Sequence, residues 1–144
     1  MKLNIVAVGS LSKEYQVLFN DYLKKVNFFA KVNLIEIKEQ KIQNIELKKQ
    51  KETELILEKI PKNSQVIYLS TQAKQVTSEE FSERITNTDN ITFVIGGSNG
   101  VIETYFSNKL NFSKMTFPHQ LFRVMLIEQI YRAFTIKNGI TYHK

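Results

Sequence analysis

The chain has 144 residues, with 42% hydrophobic and 24% charged side chains, the proportions of a globular domain that buries about 68–70% of its unfolded surface. It carries no cysteine, which excludes a disulfide framework and a thiolate metal site, and two histidines give little basis for any other metal. A formal net charge of +6 favours an anionic partner, nucleic acid being the commonest, although heavy general use of Lys produces the same sum.

In chain order the apolar pattern alternates strand and helix. Lys2 to Val8 is too continuously apolar for a half-exposed strand and reads as a first core strand, not a signal peptide. Ser12 is placed to cap a helix over 13–26, where Tyr15, Leu18, Phe19, Tyr22 and Val26 recur at helical spacing. Val32 to Ile37 is a second strand. Lys38 to Lys62, rich in Lys, Gln and Glu, predicts a solvated helix with a loose start and sparse anchors at Ile45, Leu55, Ile56 and Ile60.

Gln65 to Ser70 predicts a third strand after Pro61 closes the helix. Thr77-Ser78-Glu79-Glu80 fits a capping box before a short helix around Phe81 and Ile85. A strand over 91–95, a helix over 101–108, a strand over Phe112 to Phe117 and a long helix over 119–136 complete the order. This alternation predicts a single α/β domain over 1–144, with a mostly parallel sheet covered by helices on both faces. The longest apolar runs are strand-length, so no membrane span is expected, and the expected location is cytoplasmic.

Chemistry is concentrated after residue 90. Strand 91–95 runs into Gly96-Gly97-Ser98-Asn99-Gly100, which exposes bare backbone where the strand stops. The spacing is neither a dinucleotide fingerprint nor a phosphate-binding loop. A tight turn needing positive φ and a ligand-binding turn both fit it. Further on, SKMTFPHQ leads into RVMLIEQIYRAF, and the chain closes on TYHK. His119 opens the last helix, with Arg123 one turn later; Glu128 and Arg132, at i and i+4, are placed to pair with each other. Phe112 and Phe117 fit core packing as well as ligand contact. Tyr142 and His143 offer rings for stacking on a splayed base, and Lys144 a charge for phosphate.

Taken together, MKLNIVAVGS, FVIGGSNG, FSKMTFPHQ…RV…IEQ.YRAF and the closing YHK resemble the bacterial 23S rRNA (pseudouridine-N3) methyltransferase family, a small branch of the SPOUT superfamily. The likeness covers essentially the whole chain. It implies a deep C-terminal trefoil knot from about residue 96 onward and a homodimer built partly on the helix face of Leu121, Phe122, Met125, Leu126, Ile130 and Phe134. It implies S-adenosylmethionine as cofactor, held by Leu69, Gly96, Phe112, Ser113, Lys114, Met115, Thr116 and Phe117, with no metal. It implies catalytic roles for His143 and Tyr142, to which His119 is added as a candidate; Arg123, Arg132 and Lys144 are the candidate RNA contacts. The implied reaction is methylation at N3 of a pseudouridine in 23S rRNA on the assembled ribosome. A catalytically silent RNA-binding or ribosome-assembly protein is the alternative that the charge supports. Family members commonly carry Pro-Glu where this chain has Ser98-Asn99, so contacts in that turn are open.

Overall fold

A computed structural model describes residues 1–144. Its elements in chain order are β1 (Lys2–Val8), α1 (Lys13–Val26), β2 (Lys31–Ile37), α2 (Ile45–Lys59), β3 (Gln65–Leu69), α3 (Ser78–Thr86), β4 (Asn90–Ile95), β5 (Lys109–Leu110) and α4 (His119–Lys137). The strands form one sheet in the order β2-β1-β4-β3-β5, and every pairing is parallel. The α/β class with helices on both faces is therefore observed.

Strand geometry explains the continuous apolar runs. Successive side chains point to opposite faces, so a strand covered on both sides must be apolar at every position. Leu3, Ile5 and Ala7 of β1, Ile91, Phe93 and Ile95 of β4, and Ile67 and Leu69 of β3 enter one core with α1, α3 and α4. The intervening Val6, Val8, Val94 and Tyr68 enter a smaller core under α2. The two cores are unequal, with 20 buried residues against 8.

Caps follow the sequence closely. Thr77 and Glu80 form the full capping box of α3, and Asn44 caps α2 by accepting from Leu47 N–H at 3.1 Å. Ser12 occupies the cap position of α1 without a side-chain cap bond; its own N–H donates to Gln120 Oε1 at 2.7 Å.

Four expectations are corrected. The helix over 101–108 is only a 3-10 turn at Glu103–Tyr105. Val101 and Phe106 both insert into the smaller core, and a spacing of five puts two residues about 140° apart around an α-helix. The strand over 112–117 does not form; the edge strand is the two-residue β5, paired through Tyr68 with Lys109 and Leu69 with Leu110. Asn111 then bonds Thr71 O and Ser113 N–H, which draws the chain out of the ladder. The segment before β3 is not wholly solvated either, because α2 buries Glu52, Thr53 and Ile56. Leu18, placed on the inner face of α1 by its spacing, is 46% exposed.

Candidate active site

A cavity of about 550 Å³ opens at the carboxyl ends of β3, β4 and β5. Ligands bind at this edge of open parallel sheets, because strand ends leave backbone groups unpaired there. Leu69 ends β3 and Ser70 follows it, Gly96 to Val101 follow β4, Ser113 and Met115 to Pro118 come from the irregular stretch, and His119 and Phe122 open α4.

The glycine turn is tight for steric reasons. A Cβ on Gly96 would lie 3.1 Å from Val101 Cγ1 and 3.2 Å from the Gly100 backbone. One on Gly97 would lie 3.0 Å from Val8 Cγ1 and 3.1 Å from Glu52 Oε1. Only Gly100 needs the left-handed region, at φ +76°, and its N–H closes the turn on Gly97 O at 3.0 Å. The packing thus leaves no room for a side chain at Gly96 or Gly97, and bare main chain lines the cavity there.

Helix α2 holds this turn from behind. Lys48 Nζ donates to Asn99 Oδ1 at 3.0 Å and to Glu39 Oε1 at 2.9 Å, with Ser98 Oγ at 3.4 Å. The Lys48 hydrogen bond, then that of Ser98, holds the Glu39 carboxyl below its ordinary range. Thr53 Oγ1 accepts the Ile102 N–H at 3.0 Å where the chain leaves the turn. The buried Glu52 accepts the Gln40 N–H through Oε2 at 2.9 Å, while its Oε1 has no partner. Removing the acceptor at Thr53 orphans a part-buried N–H, at a cost of about 1–3 kcal/mol. Thr53→Val is therefore expected to lose about 1–2 kcal/mol in urea unfolding, and Thr53→Ser to recover most of it; equal stability of Thr53→Val and the unaltered chain would refute the anchor.

On the opposite wall, Ser70 Oγ donates to Glu103 Oε1 at 2.7 Å and accepts from Gln72 N–H at 3.0 Å. Burial, then the nearby Glu103 charge, pushes the Tyr68 hydroxyl up to about 12, so it stays a neutral donor beside Gly100.

Of the eight residues expected to hold a cofactor, Leu69, Gly96, Ser113, Met115, Thr116 and Phe117 line the cavity. Phe112 and Lys114 do not. Phe112 packs between Phe81 and Phe122, with ring centroids 5.5 and 5.2 Å away, and Lys114 is exposed. His119 also lines the cavity; its Nδ1 is buried without a partner, and its ring edge lies over Gly9.

The candidate RNA contacts are placed less favourably. Arg123 is 1% exposed, ion-paired to Glu36 Oε2 at 2.5 Å and donating to Gly9 O at 3.0 Å. It ties α4 to β1 and β2, which corrects its expected place on the surface with His119. Arg132 pairs with Glu128, as its spacing allowed, and also meets His143 Nδ1 at 3.1 Å and the Tyr142 ring at 4.9 Å. Lys144 is exposed beside them.

The tail is ordered against its own chain. Tyr142 donates to Glu128 Oε1 at 3.0 Å, and burial together with that carboxylate raises its hydroxyl above the ordinary tyrosine value. His143 Nε2 meets Glu79 Oε1 at 2.5 Å, which holds the Glu79 carboxyl below its ordinary range. These contacts cluster around Arg132, about 20 Å along α4 from His119 at 1.5 Å per residue. Tyr142 and His143 do not line the cavity of their own chain.

Several site residues carry no sequence signal. Lys48, Lys49, Glu52 and Thr53 sit in a stretch of Lys, Gln and Glu that reads as a solvated surface. Asn111 and Ser70 are short polar residues at strand ends, a pattern shared by ordinary turns.

A parallel sheet with a backbone-lined cavity at its carboxyl edge defines an α/β protein with a candidate small-molecule site. A family model described as "Predicted SPOUT methyltransferase" matches residues 1–143, and the chain belongs to this family of methyltransferases. It is 65% identical over 144 residues, all of both chains, to a protein named ribosomal RNA large subunit methyltransferase H from Mycoplasmopsis synoviae (strain 53). The same identity and coverage hold for a protein of that name from Metamycoplasma arthritidis (strain 158L3-1). A third bearer of the name, from Clostridium botulinum (strain Kyoto / Type A2), is 46% identical over 159 aligned positions covering all of both chains. No helix is long and apolar enough to cross a membrane.

Proposed function

We propose that this protein transfers a methyl group from S-adenosylmethionine to N3 of a pseudouridine in 23S rRNA, acting on the assembled ribosome in the cytoplasm. One observation carries the reading. The cavity brings the GGSNG turn together with Ser113 and Met115 to Phe117 in a chain aligned end to end with proteins named as large-subunit rRNA methyltransferases.

The cavity fits this cofactor. Leu69, Met115 and Phe117 supply apolar surface for a flat purine, and the backbone around Gly96 and Ser113 supplies edge donors and acceptors. When bound, the cofactor supplies an electrophilic methyl group on a sulfonium. The chain's own part would be to hold the nucleotide and place its nitrogen in line; the imide proton would pass to solvent, the N–CH3 bond would form as the S–CH3 bond breaks, and the donor would leave as a neutral thioether. The knot implied from about residue 96 onward would lie around this cavity, within one domain spanning 1–144.

A homodimer completes the proposal. The tail packs around Arg132, about 15 Å along α4 from Phe122 of its own cavity, so Tyr142 and His143 would serve the cavity of a second copy. Leu126, Ile130 and Phe134 of the expected dimer face are spent on the chain's own core. Half-exposed Leu121 and Met125 remain, with the exposed Val17 and Leu18 of neighbouring α1, for a partner. His143→Ala is expected to lower turnover at least about 10-fold while cofactor affinity stays within a few-fold. Parallel loss of both would remove His143 from the catalytic step.

The test is incubation with labelled S-adenosylmethionine and ribosomes from a strain lacking the modification, followed by digestion of the rRNA. Label in N3-methylpseudouridine supports the acceptor named here. No label, with cofactor binding intact, discards it; loss of cofactor binding as well would favour a silent RNA-binding protein.

A further inference from the structure

We propose that a second cavity, at the opposite edge of the sheet, is an anion site that holds a backbone phosphate of the RNA substrate, a role that rests on the functional reading above. This cavity measures about 420 Å³ and lies at the amino ends of β1, β2 and β4. Lys2, Lys31, Lys62, Asn4, Asn33 and Asn90 line it, and no acidic or apolar side chain other than that of Pro61 does so.

The sheet register builds its floor. Lys2 pairs with Lys31 on one side and Asn90 on the other, and Asn4 pairs with Asn33 and Thr92. Residues i and i+2 share a face, so these side chains form two polar rows on the side that carries α2. Along the same face β1 and β4 turn apolar at Val6 and Val94. The polar rows thus mark a part of the sheet that α2 leaves uncovered.

Buried hydrogen bonds fix the arrangement. Asn4, only 6% exposed, donates through Nδ2 to Asn90 Oδ1 at 3.1 Å and Thr92 Oγ1 at 3.2 Å. That bond turns the Asn90 amide oxygen toward Asn4 and leaves its Nδ2 without a hydrogen-bond partner. Thr92 Oγ1 bonds Ser64 Oγ at 2.8 Å, and Ser64 bonds Pro61 O at 2.8 Å. This chain of bonds tethers the loop that carries Lys62 beside the floor.

Charge then decides the ligand. None of Lys2, Lys31 and Lys62 has an ion-pair partner. Like charges side by side on neighbouring strands repel, and Asp89, whose carbonyl accepts the Lys2 N–H at 2.7 Å, does not line the cavity. Three ammonium groups and an amide donor suit a phosphate oxygen. The seven residues of β1 separate the two cavities by about 20 Å at 3.3 Å per residue, so the phosphate held would lie several nucleotides from the target base. Contacts of this kind set register on the RNA without reading its sequence.

The test compares a cavity triple variant (Lys2→Gln, Lys31→Gln, Lys62→Gln) with a control triple of equal charge at exposed lysines (Lys13→Gln, Lys51→Gln, Lys137→Gln). KM for unmodified ribosomes is measured across salt concentrations, beside kcat and cofactor affinity. The cavity variant is expected to raise KM at least about 10-fold near 0.15 M salt and to reduce the log–log salt slope by about 0.7–0.9, one phosphate's worth. Its kcat and cofactor affinity are expected to match those of the unaltered protein. Inorganic phosphate should also shift the side-chain amide signal of Asn90 saturably in the unaltered protein and not in the cavity variant. Unchanged KM and slope, an equal effect of the control triple, or an unresponsive Asn90 would each overturn the proposal. If the unaltered protein binds cofactor and methylates no ribosome, the functional reading fails, and with it the RNA occupant; the phosphate titration then decides the anion site alone.

Discussion

Gly96→Val is expected to raise the dissociation constant for S-adenosylmethionine at least about 100-fold while the protein stays folded, a change of about 2.8 kcal/mol. Alanine alone would press its Cβ to 3.2 Å from the backbone of Gly100. Valine adds two methyl groups at a place where the far side of the turn is fixed. Gly100 stands at φ +76° and is closed on Gly97 by a 3.0 Å hydrogen bond, so it cannot retreat without opening the turn. The usual relief in loops, a small backbone shift, is also blocked by the Thr53 bond to Ile102. The damage is local, because Gly96 lies beyond the last paired residue of β4. Calorimetric titration with the cofactor, beside a circular dichroism spectrum, checks both halves; an affinity within a few-fold of the original would show that the turn does not touch the ligand.

Arg123→Ala acts on the fold instead. The side chain is among the largest fully buried ones, and its loss leaves a void, an unpaired Glu36 and an unmet Gly9 carbonyl. Removing one partner of a buried ion pair costs about 3–5 kcal/mol, and because Glu36 is 38% exposed the lower end applies, about 3 kcal/mol. Thermal unfolding is expected about 6–12 °C lower. An unchanged Tm together with weakened ribosome binding would return Arg123 to the RNA-facing surface.

Much of this architecture was legible in the sequence. The unbroken apolar runs of β1 and β4 announced strands covered on both faces, and the Thr77–Glu80 box placed the start of α3. Six of the eight cofactor contacts implied by the family resemblance line the cavity, and of these the local pattern itself marks only Leu69 at a strand end and Gly96 in the glycine turn. What stayed hidden depends on partners far away in the chain. Arg123 looks like a surface cation until Glu36, 87 residues earlier, is brought beside it. Glu52 and Thr53 look solvated until the turn after β4 packs on them. Residues 112–117 have the composition of a strand, but the edge they would extend ends when Asn111 bonds Thr71 and Ser113.

The unequal division of the core has a mechanical consequence. Local opening is easiest where few apolar contacts must be broken. Helix α4, which carries His119, rests on the 20-residue side, whereas the GGSNG turn leans on α2 over the 8-residue side. One jaw of the cavity is therefore stiff and the other compliant. Ligand entry is expected to flex the α2 side, and a seated ligand to lend that thin layer the cohesion its own packing lacks.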